Sequence, residues 1–172
     1  MGDWDEDEDF TGYMSARWPA LVRSAVLLGC TPQDAEDLVQ TALARCYVSW
    51  SKVANADDRD AYVYRVLVNC HTDTRRRRWS GERASEHLPE QPDPRDSEGR
   101  VDVTDAVDRA LGALSHPLRA VVVLRFYAHL SEEQTATALG IPRGTVKSRL
   151  SRALADLSAN KHLADLPDGN LP

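Results

Sequence analysis

Residues 130–157 read LSEEQTATALGIPRGTVKSRLSRALADL, and this stretch predicts two short helices joined by a tight turn. Ser131 can cap the first helix, and Gln134, three residues later, can return the hydrogen bond as in a capping box. Gly140 permits the tight turn, and Pro142 prevents the first helix from continuing. The stretch therefore predicts a helix-turn-helix motif.

The second helix of this motif has an apolar face and a polar face. The apolar face is predicted from helical spacing and consists of Val146, Leu150, Leu154 and Leu157. The opposite face consists of Ser148, Ser151 and Arg152, with Lys147 and Arg149 on its flanks. A polar face of this kind can enter the major groove of DNA.

The local charge favours DNA binding. Residues 141–161 contain five basic side chains and one acid, although the whole chain has a net charge of -6. A basic segment in an acidic protein is what we expect of an element that contacts phosphates. The alternative is an ordinary helical hairpin with a solvated polar face, and the helical pattern alone does not separate the two.

Length and composition limit the class of protein. The 172 residues suffice for one compact domain or two small ones, and a hydrophobic content of 42% excludes a wholly disordered chain. No apolar run approaches the roughly 18 residues of a membrane span, and the acidic start is unlike a signal peptide. The sequence therefore predicts a cytoplasmic protein.

The cysteines predict neither a disulfide framework nor a metal site. Cys30, Cys46 and Cys70 are odd in number and scattered through helical patterns, so we expect reduced and mostly buried thiols. Cys70 and His71 could bind a metal, but no second pair lies at ligand spacing. We therefore expect no metal and no cofactor.

The first ten residues contain six acids, and the rest of the chain has 21 acids and 21 bases. The N-terminus therefore accounts for the whole net charge. We expect residues 1–9 to form a disordered, solubilising tail. The alternative is a segment that repels DNA, or imitates it, until the segment is displaced.

Helical periodicity continues in a first lobe, residues 10–79, with three predicted helices. These run from Phe10 to Leu28, from Pro32 to about Trp50, and from the polar turn at residues 55–58 into four successive arginines.

Residues 80–101 contain three prolines and lack apolar periodicity, which is typical of a linker. A second lobe, residues 102–160, is predicted to hold four helices that include the helix-turn-helix. Residues 161–172 are predicted to be a loose tail. The predicted fold class is all-α, with two small helical domains joined by a flexible linker.

Two further segments precede the linker. Residues 34–40 read DAEDLVQ, and residues 60–69 read DAYVYRVLVN and lead into the arginine run. With the linker and residues 130–157, they closely resemble a bacterial RNA polymerase sigma factor of the extracytoplasmic-function group, in its two-domain form. The resemblance covers about residues 10–159.

The resemblance implies a function and a set of partners. The first lobe would be sigma region 2 and the second would be sigma region 4. Such a chain is an alternative sigma factor, which directs promoter recognition and DNA melting within the RNA polymerase holoenzyme and is not itself an enzyme. Its partners would be core RNA polymerase and promoter DNA, with an anti-sigma protein as a further candidate.

The resemblance also assigns three sets of site residues. The set that binds core polymerase comprises Asp37, Gln40 and Thr41, where Thr41 replaces the family's usual acid. The set that binds the minus-ten element comprises Tyr62, Asn69, Arg75, Arg76, Arg77 and Arg78, where Tyr62 replaces a common tryptophan. The set that binds the minus-thirty-five duplex comprises Arg143, Thr145, Lys147, Ser148, Arg149 and Arg152.

The chemistry of these residues agrees with the assignment. Capturing an unstacked base requires an amide edge and an aromatic face, because unstacking costs on the order of a few kcal/mol. Asn69 and either Tyr62 or Tyr64 supply these groups, although Asn69 could also be a cap or turn residue and the tyrosines could be core contacts. Four successive arginines exceed what a helix end needs, so binding to backbone phosphates explains them better.

Two other classes of protein are alternatives. A self-sufficient transcriptional regulator would dimerise and bind half-sites about 34 Å apart without polymerase. An enzyme would need a nucleophile with its base, a glycine-rich phosphate loop or a metal-spaced cluster, and the sequence contains no such pattern.

Overall fold

The computed structural model describes residues 3–80 and 101–159, and every regular element in these two ranges is helical. The first range contains α1 (Asp3–Leu27), α2 (Pro32–Tyr47), α3 (Trp50–Ala54) and α4 (Arg59–Trp79). The second contains α5 (Val101–Ala113), α6 (His116–Val122), a π-helical turn (Val123–Tyr127), α7 (Glu132–Leu139) and α8 (Arg143–Ser158). The predicted all-α, two-domain fold is confirmed.

Two of the predicted segments lie largely outside these two ranges. The linker, apart from its ends, and the tail at 161–172 lie outside the described residues. Within the described ranges, no helix combines the length and the apolar character needed to cross a membrane.

Local signals set the helix ends. The Thr31 hydroxyl accepts a hydrogen bond from the backbone N–H of Asp34 at 3.2 Å, which caps α2. At the start of α4, Asp58 Oδ1 accepts one from the backbone N–H of Ala61 at 2.8 Å. Caps of this kind each stabilise a helix by about 1 kcal/mol. Gly29 follows α1 with a φ of 110°, a conformation that residues with a side chain rarely adopt.

The first lobe has four helices rather than the predicted three. The second helix stops at Tyr47, because Ser49 has a φ of -129° and a ψ of 36°, outside the helical region. The chain then restarts as α3, whose first residue, Trp50, is buried. Its ring lies 5.1 Å from the Phe10 ring and 5.5 Å from the Tyr13 ring, so the break lets an aromatic cluster close one end of the core.

The acidic N-terminus differs from the predicted disordered tail, because α1 already begins at Asp3. Asp7 Oδ1 accepts a hydrogen bond from the Tyr47 hydroxyl at 2.7 Å, and Asp9 Oδ2 accepts one from Trp50 Nε1 at 3.0 Å. Asp9 also pairs with Arg59 at 3.1 Å. These partners lie 40 to 50 residues away, so local composition does not reveal them.

The two lobes pack against each other. One buried cluster contains core residues of the first lobe together with Leu124, Leu130 and Ala138 of the second. A second cluster joins Leu27 and Leu28 of α1 to the core of the second lobe. Hydrogen bonds also join the two lobes. Arg119 Nε donates to the backbone carbonyl of Leu27, and Gln134 Nε2 donates to Asp58 Oδ2. As a result α7 lies against α4.

The buried face of α8 departs from the prediction at one position. Val146 and Ala153 are fully buried and Leu150 and Leu157 are partly buried, whereas Leu154 is 45% exposed. The inward stripe advances by four, three and four residues, so Ala153 occupies the place that the sequence assigned to Leu154. The prediction that Leu154 belongs to the core is wrong.

The cysteines behave as expected. All three are free thiols, with Cys46 and Cys70 buried and Cys30 partly buried. Burial raises the pKa of each thiol, which keeps it protonated.

Candidate functional site

The first candidate surface is the exposed edge of α2. Asp37, Gln40 and Thr41 are all exposed and line one shallow groove together with Ala44, Arg45 and Val48. Thr41 donates its hydroxyl to the backbone carbonyl of Asp37 at 2.8 Å, so this group is used within the helix. Val48 follows the helix and is 84% exposed, so it offers an apolar contact that the sequence did not indicate. The groove suits a partner with both polar and apolar groups.

The second candidate surface lies on α4. Asn69 is exposed at the centre of this helix, which excludes its alternative role as a cap or turn residue. Its amide makes no hydrogen bond to any residue of the described part. Tyr62 lies seven residues earlier, hence on the same face, and is partly buried against the first-lobe core.

Tyr64 is a core residue and not a candidate for base stacking. Its side chain is buried, and its hydroxyl lies 3.3 Å from the Ser24 hydroxyl of α1. Burial raises the pKa of the Tyr64 hydroxyl, which is expected for a phenol removed from water. The alternative that the sequence left open for this tyrosine, a core contact, is therefore the correct one.

All four arginines at the end of α4 are exposed. Arg78 pairs with Asp34 of α2 at 3.1 Å, and Arg76 lies 3.9 Å from Asp73 of its own helix. Within residues 3–80 and 101–159, Arg75 and Arg77 form no ion pair. Two of the four charges are thus uncommitted, and the other two are in exposed pairs that contribute little energy.

The third candidate surface is the helix-turn-helix of α7 and α8. The predicted capping box is present, with Ser131 and Gln134 bonded in both directions, and Gly140 has a φ of 63°. On α8 the outward side chains follow the prediction, because Lys147, Ser148 and Arg152 are exposed. Arg149 and Thr145 are partly buried.

Two cations of this surface share one carboxylate. Glu132, at the start of α7, accepts a hydrogen bond from Arg143 Nε at 3.2 Å and lies 3.8 Å from Lys147 Nζ. Arg149 and Arg152 form no ion pair with any described residue. Glu132 could not be recognised from the sequence, because separations of 11 and 15 residues across a turn leave no local signal.

A cavity of about 460 Å³ lies between the lobes. Its lining includes Arg75 and Arg78 of α4, Arg119 and His116 of α6, and His71. The His71 and His116 rings are 5.9 Å apart across the lobe boundary. Burial, together with the positive charge of neighbouring side chains, lowers the pKa of His71 to about 4.

Because of this lowered pKa, the free energy of unfolding should fall as the solution becomes acidic. The unfolded His71 has a pKa near 6.5, so below that value the unfolded chain binds a proton that the folded chain rejects. Above about pH 6.5 this residue has no effect on the free energy of unfolding. Between about pH 6.5 and 4 we expect a loss on the order of 2 to 3 kcal/mol.

Urea unfolding at several pH values measures this loss. The substitution His71→Leu should flatten the dependence over that interval, since leucine has a similar size and does not titrate. Equal losses in the wild type and in the variant would contradict the assignment.

Comparison with known proteins identifies the family of both lobes. A family model described as "Sigma-70 region 2" matches residues 16–81, and one described as "Sigma-70, region 4" matches residues 104–157. The chain is 43% identical over 158 residues to the RNA polymerase sigma-E factor of Streptomyces coelicolor, covering 92% of this chain and 89% of that protein. It is 35% identical over 142 residues to the ECF RNA polymerase sigma factor SigL of Mycobacterium tuberculosis, covering 80% of each.

A solved sigma-factor structure also matches nearly the whole chain. The sigma factor RpoE, in complex with the anti-sigma factor NepR from Bartonella quintana, matches with a TM-score of 0.68 and 27% identity, covering 93% of this chain and 99% of that one. Two family models in the expected order, and relatives that span both, leave one conclusion. The chain belongs to the sigma-70 family and is an alternative sigma factor of the extracytoplasmic-function group, which acts in transcription initiation.

Proposed function

We propose that three surfaces divide the work of this sigma factor. The exposed edge of α2 binds core RNA polymerase, the face of α4 around Asn69 captures a base of the melted minus-ten element, and α8 contacts the minus-thirty-five duplex. The arginines at the end of α4 bind the DNA backbone beside the melted base. The chain has no catalytic step of its own, and it works in the cytoplasm with the polymerase that supplies the chemistry.

The observation that carries this proposal is that α8 has one buried apolar face and one exposed basic face. Its inward stripe is buried in the second lobe, while its outward side is exposed and basic. Arg149 and Arg152 are not committed to an ion pair in the described part, so both are available to phosphates or to guanine edges. A face with these features suits a polyanionic partner.

Run-off transcription tests the proposal as a whole. Core polymerase is supplied with a library of promoter templates, with and without this chain. We expect specific transcripts only when the chain is present. If the chain instead binds duplex tightly as a dimer and leaves the transcript pattern of the polymerase unchanged, it acts as a self-sufficient regulator.

The basic face of α8 allows a sharper measurement. Arg149→Ala and Arg152→Ala should each reduce the salt dependence of upstream duplex binding by about one unit of slope if the arginine contacts a phosphate. Each should cost about 1 to 3 kcal/mol of selectivity if it contacts guanine.

Arg109→Ala is a suitable control, because Arg109 is exposed on α5 and pairs with Asp105 of the same helix. Footprinting with holoenzyme is the second readout. Unchanged upstream protection in the Arg149 and Arg152 double variant would exclude this face as the site of contact.

We also propose that an anti-sigma protein binds this chain. The support is its likeness to RpoE of Bartonella quintana, which was solved in complex with an anti-sigma factor. Co-purification of the tagged chain from its own host, followed by a transcription assay with the captured protein, tests this point. A captured protein that leaves transcription unaffected would count against it.

A further inference from the structure

One carboxylate lies beside the first two cations of the recognition helix α8. Glu132 begins α7, and its side chain, 26% exposed, reaches across the turn to the start of α8. There it holds Arg143 and Lys147 through the same oxygen, Oε2. Both cations are about 60% exposed, so the cluster is open to a ligand from outside.

We propose that Glu132 is a positioning residue that sets the selectivity of α8 for its duplex. It directs the first two cations of the recognition helix and opposes their non-specific attraction to any DNA. This inference rests on the proposed function of α8.

The directing effect follows from the donors of arginine. The guanidinium has five N–H groups in a planar fork, and Glu132 engages the one on Nε. The two Nη groups have no hydrogen-bond or ion-pair partner among the described residues. In helix-turn-helix proteins the N-terminal residues of the recognition helix contact the base edges, and Arg143 is the first residue of α8. A fixed guanidinium at this position favours one arrangement of acceptors over others.

The opposing effect follows from charge. Non-specific DNA binding depends on phosphate neutralisation, so a carboxylate that is paired with the contacting cations weakens it. Cognate duplex offsets this repulsion through base contacts that scrambled duplex lacks. A carboxylate here therefore lowers the affinity for wrong sequences more than the affinity for the right one. The ion pairs of Glu132 add little to folding, because they are solvent-exposed, and Glu133 in the same first turn has the same favourable interaction with the helix dipole.

The chain contains a matched control. Glu133 is the next residue, is exposed in the same first turn of α7, and makes no ion pair with α8 in the part that the structure describes. Glu132→Gln and Glu133→Gln thus remove the same charge from the same turn. They differ in whether the lost group contacted Arg143 and Lys147.

The test uses holoenzyme assembled from the full chain and core polymerase. The probes are an upstream duplex selected by the wild-type holoenzyme from a library randomised at the minus-thirty-five element, and the same duplex with that element scrambled. Fluorescence anisotropy gives both affinities at several salt concentrations. We expect Glu132→Gln to lower the ratio of cognate to scrambled affinity about fivefold, mainly through tighter binding of scrambled duplex. Glu133→Gln should leave the ratio within about twofold of wild type.

Arg143→Ala separates the possible outcomes. In an Arg143→Ala background, Glu132→Gln should change the ratio much less than in the wild type, since one of its two partners is gone. Equal effects of the two glutamine variants, or an unchanged ratio in Glu132→Gln, would overturn the inference while leaving α8 as the DNA-contacting helix. If Arg143→Ala leaves both affinities at the wild-type value, Arg143 makes no DNA contact for Glu132 to direct, and the inference fails whether or not Arg149 and Arg152 bind the duplex.

Discussion

Replacing Asp37 by arginine and Gln40 by alanine in the same chain is expected to abolish transcription by preventing assembly of the holoenzyme. Both side chains are exposed on one edge of α2, three residues apart, and both border the same groove. A partner surface that accepts an aspartate and an amide would meet a positive charge and a lost hydrogen bond. We expect the Kd for core polymerase to rise at least tenfold, or about 1.4 kcal/mol.

The fold should survive this double substitution, because neither side chain contributes to the core of the first lobe. Thermal unfolding checks that point, and a pull-down with core polymerase measures binding. Asp57→Arg is the charge-matched control, since Asp57 is exposed in the turn before α4. Wild-type affinity in the double variant, or equal loss in the control, would show that the edge of α2 is not the binding surface.

Features that depend on neighbouring residues were predictable from the sequence. The capping box of Ser131 and Gln134, the cap at Thr31 and the positive φ at Gly140 each follow from side chains within three or four positions. The helical repeat likewise identified the outward side of α8. These are local consequences of backbone geometry, and tertiary packing left them unchanged.

Features that depend on distant residues were not predictable. An apolar stripe shows that a face is covered, but it does not show what covers it. Leu124 and Leu130 contribute to the core of the first lobe, although they lie beyond the linker. The acidic start of α1 is anchored by Tyr47, Trp50 and Arg59, and no property of residues 1–9 alone indicates those partners.

The same distinction between neighbouring and distant residues applies to the candidate sites. Exposure of Asn69, Asp37 and Gln40 follows from the helical repeat once a helix is assigned. The helical repeat does not decide which of Tyr62 and Tyr64 is available to stack on a base, because tyrosines two positions apart could both face the core. The hydrogen-bonding distance between Tyr64 and Ser24 decides it. Glu132 became a candidate only when the turn brought α7 and the start of α8 together.

Asn69→Ala is expected to slow promoter opening while leaving core binding and upstream duplex contacts intact. The Asn69 amide offers a donor and an acceptor, and neither is used within the described residues, so it can bind the Watson–Crick edge of one extruded base. Neighbouring residues such as Leu67 are buried and anchor the helix. The defect should therefore concentrate at one base of the minus-ten element, since the other positions do not meet this side chain.

Permanganate reactivity measures opening on an intact promoter and on its pre-melted counterpart. Pre-melting removes the cost of unpairing but keeps the base-specific contact, so the variant should regain much of the opening yet lose its preference at that base. Thr72→Ala is the control on the same helix, because Thr72 is exposed and its hydroxyl already donates to the Val68 carbonyl at 2.9 Å. If Asn69→Ala opens the intact promoter at the wild-type rate and keeps the same base preference on the pre-melted one, the amide makes no contact with the DNA. A loss of opening that Thr72→Ala shares would instead assign the effect to the surface of α4 as a whole.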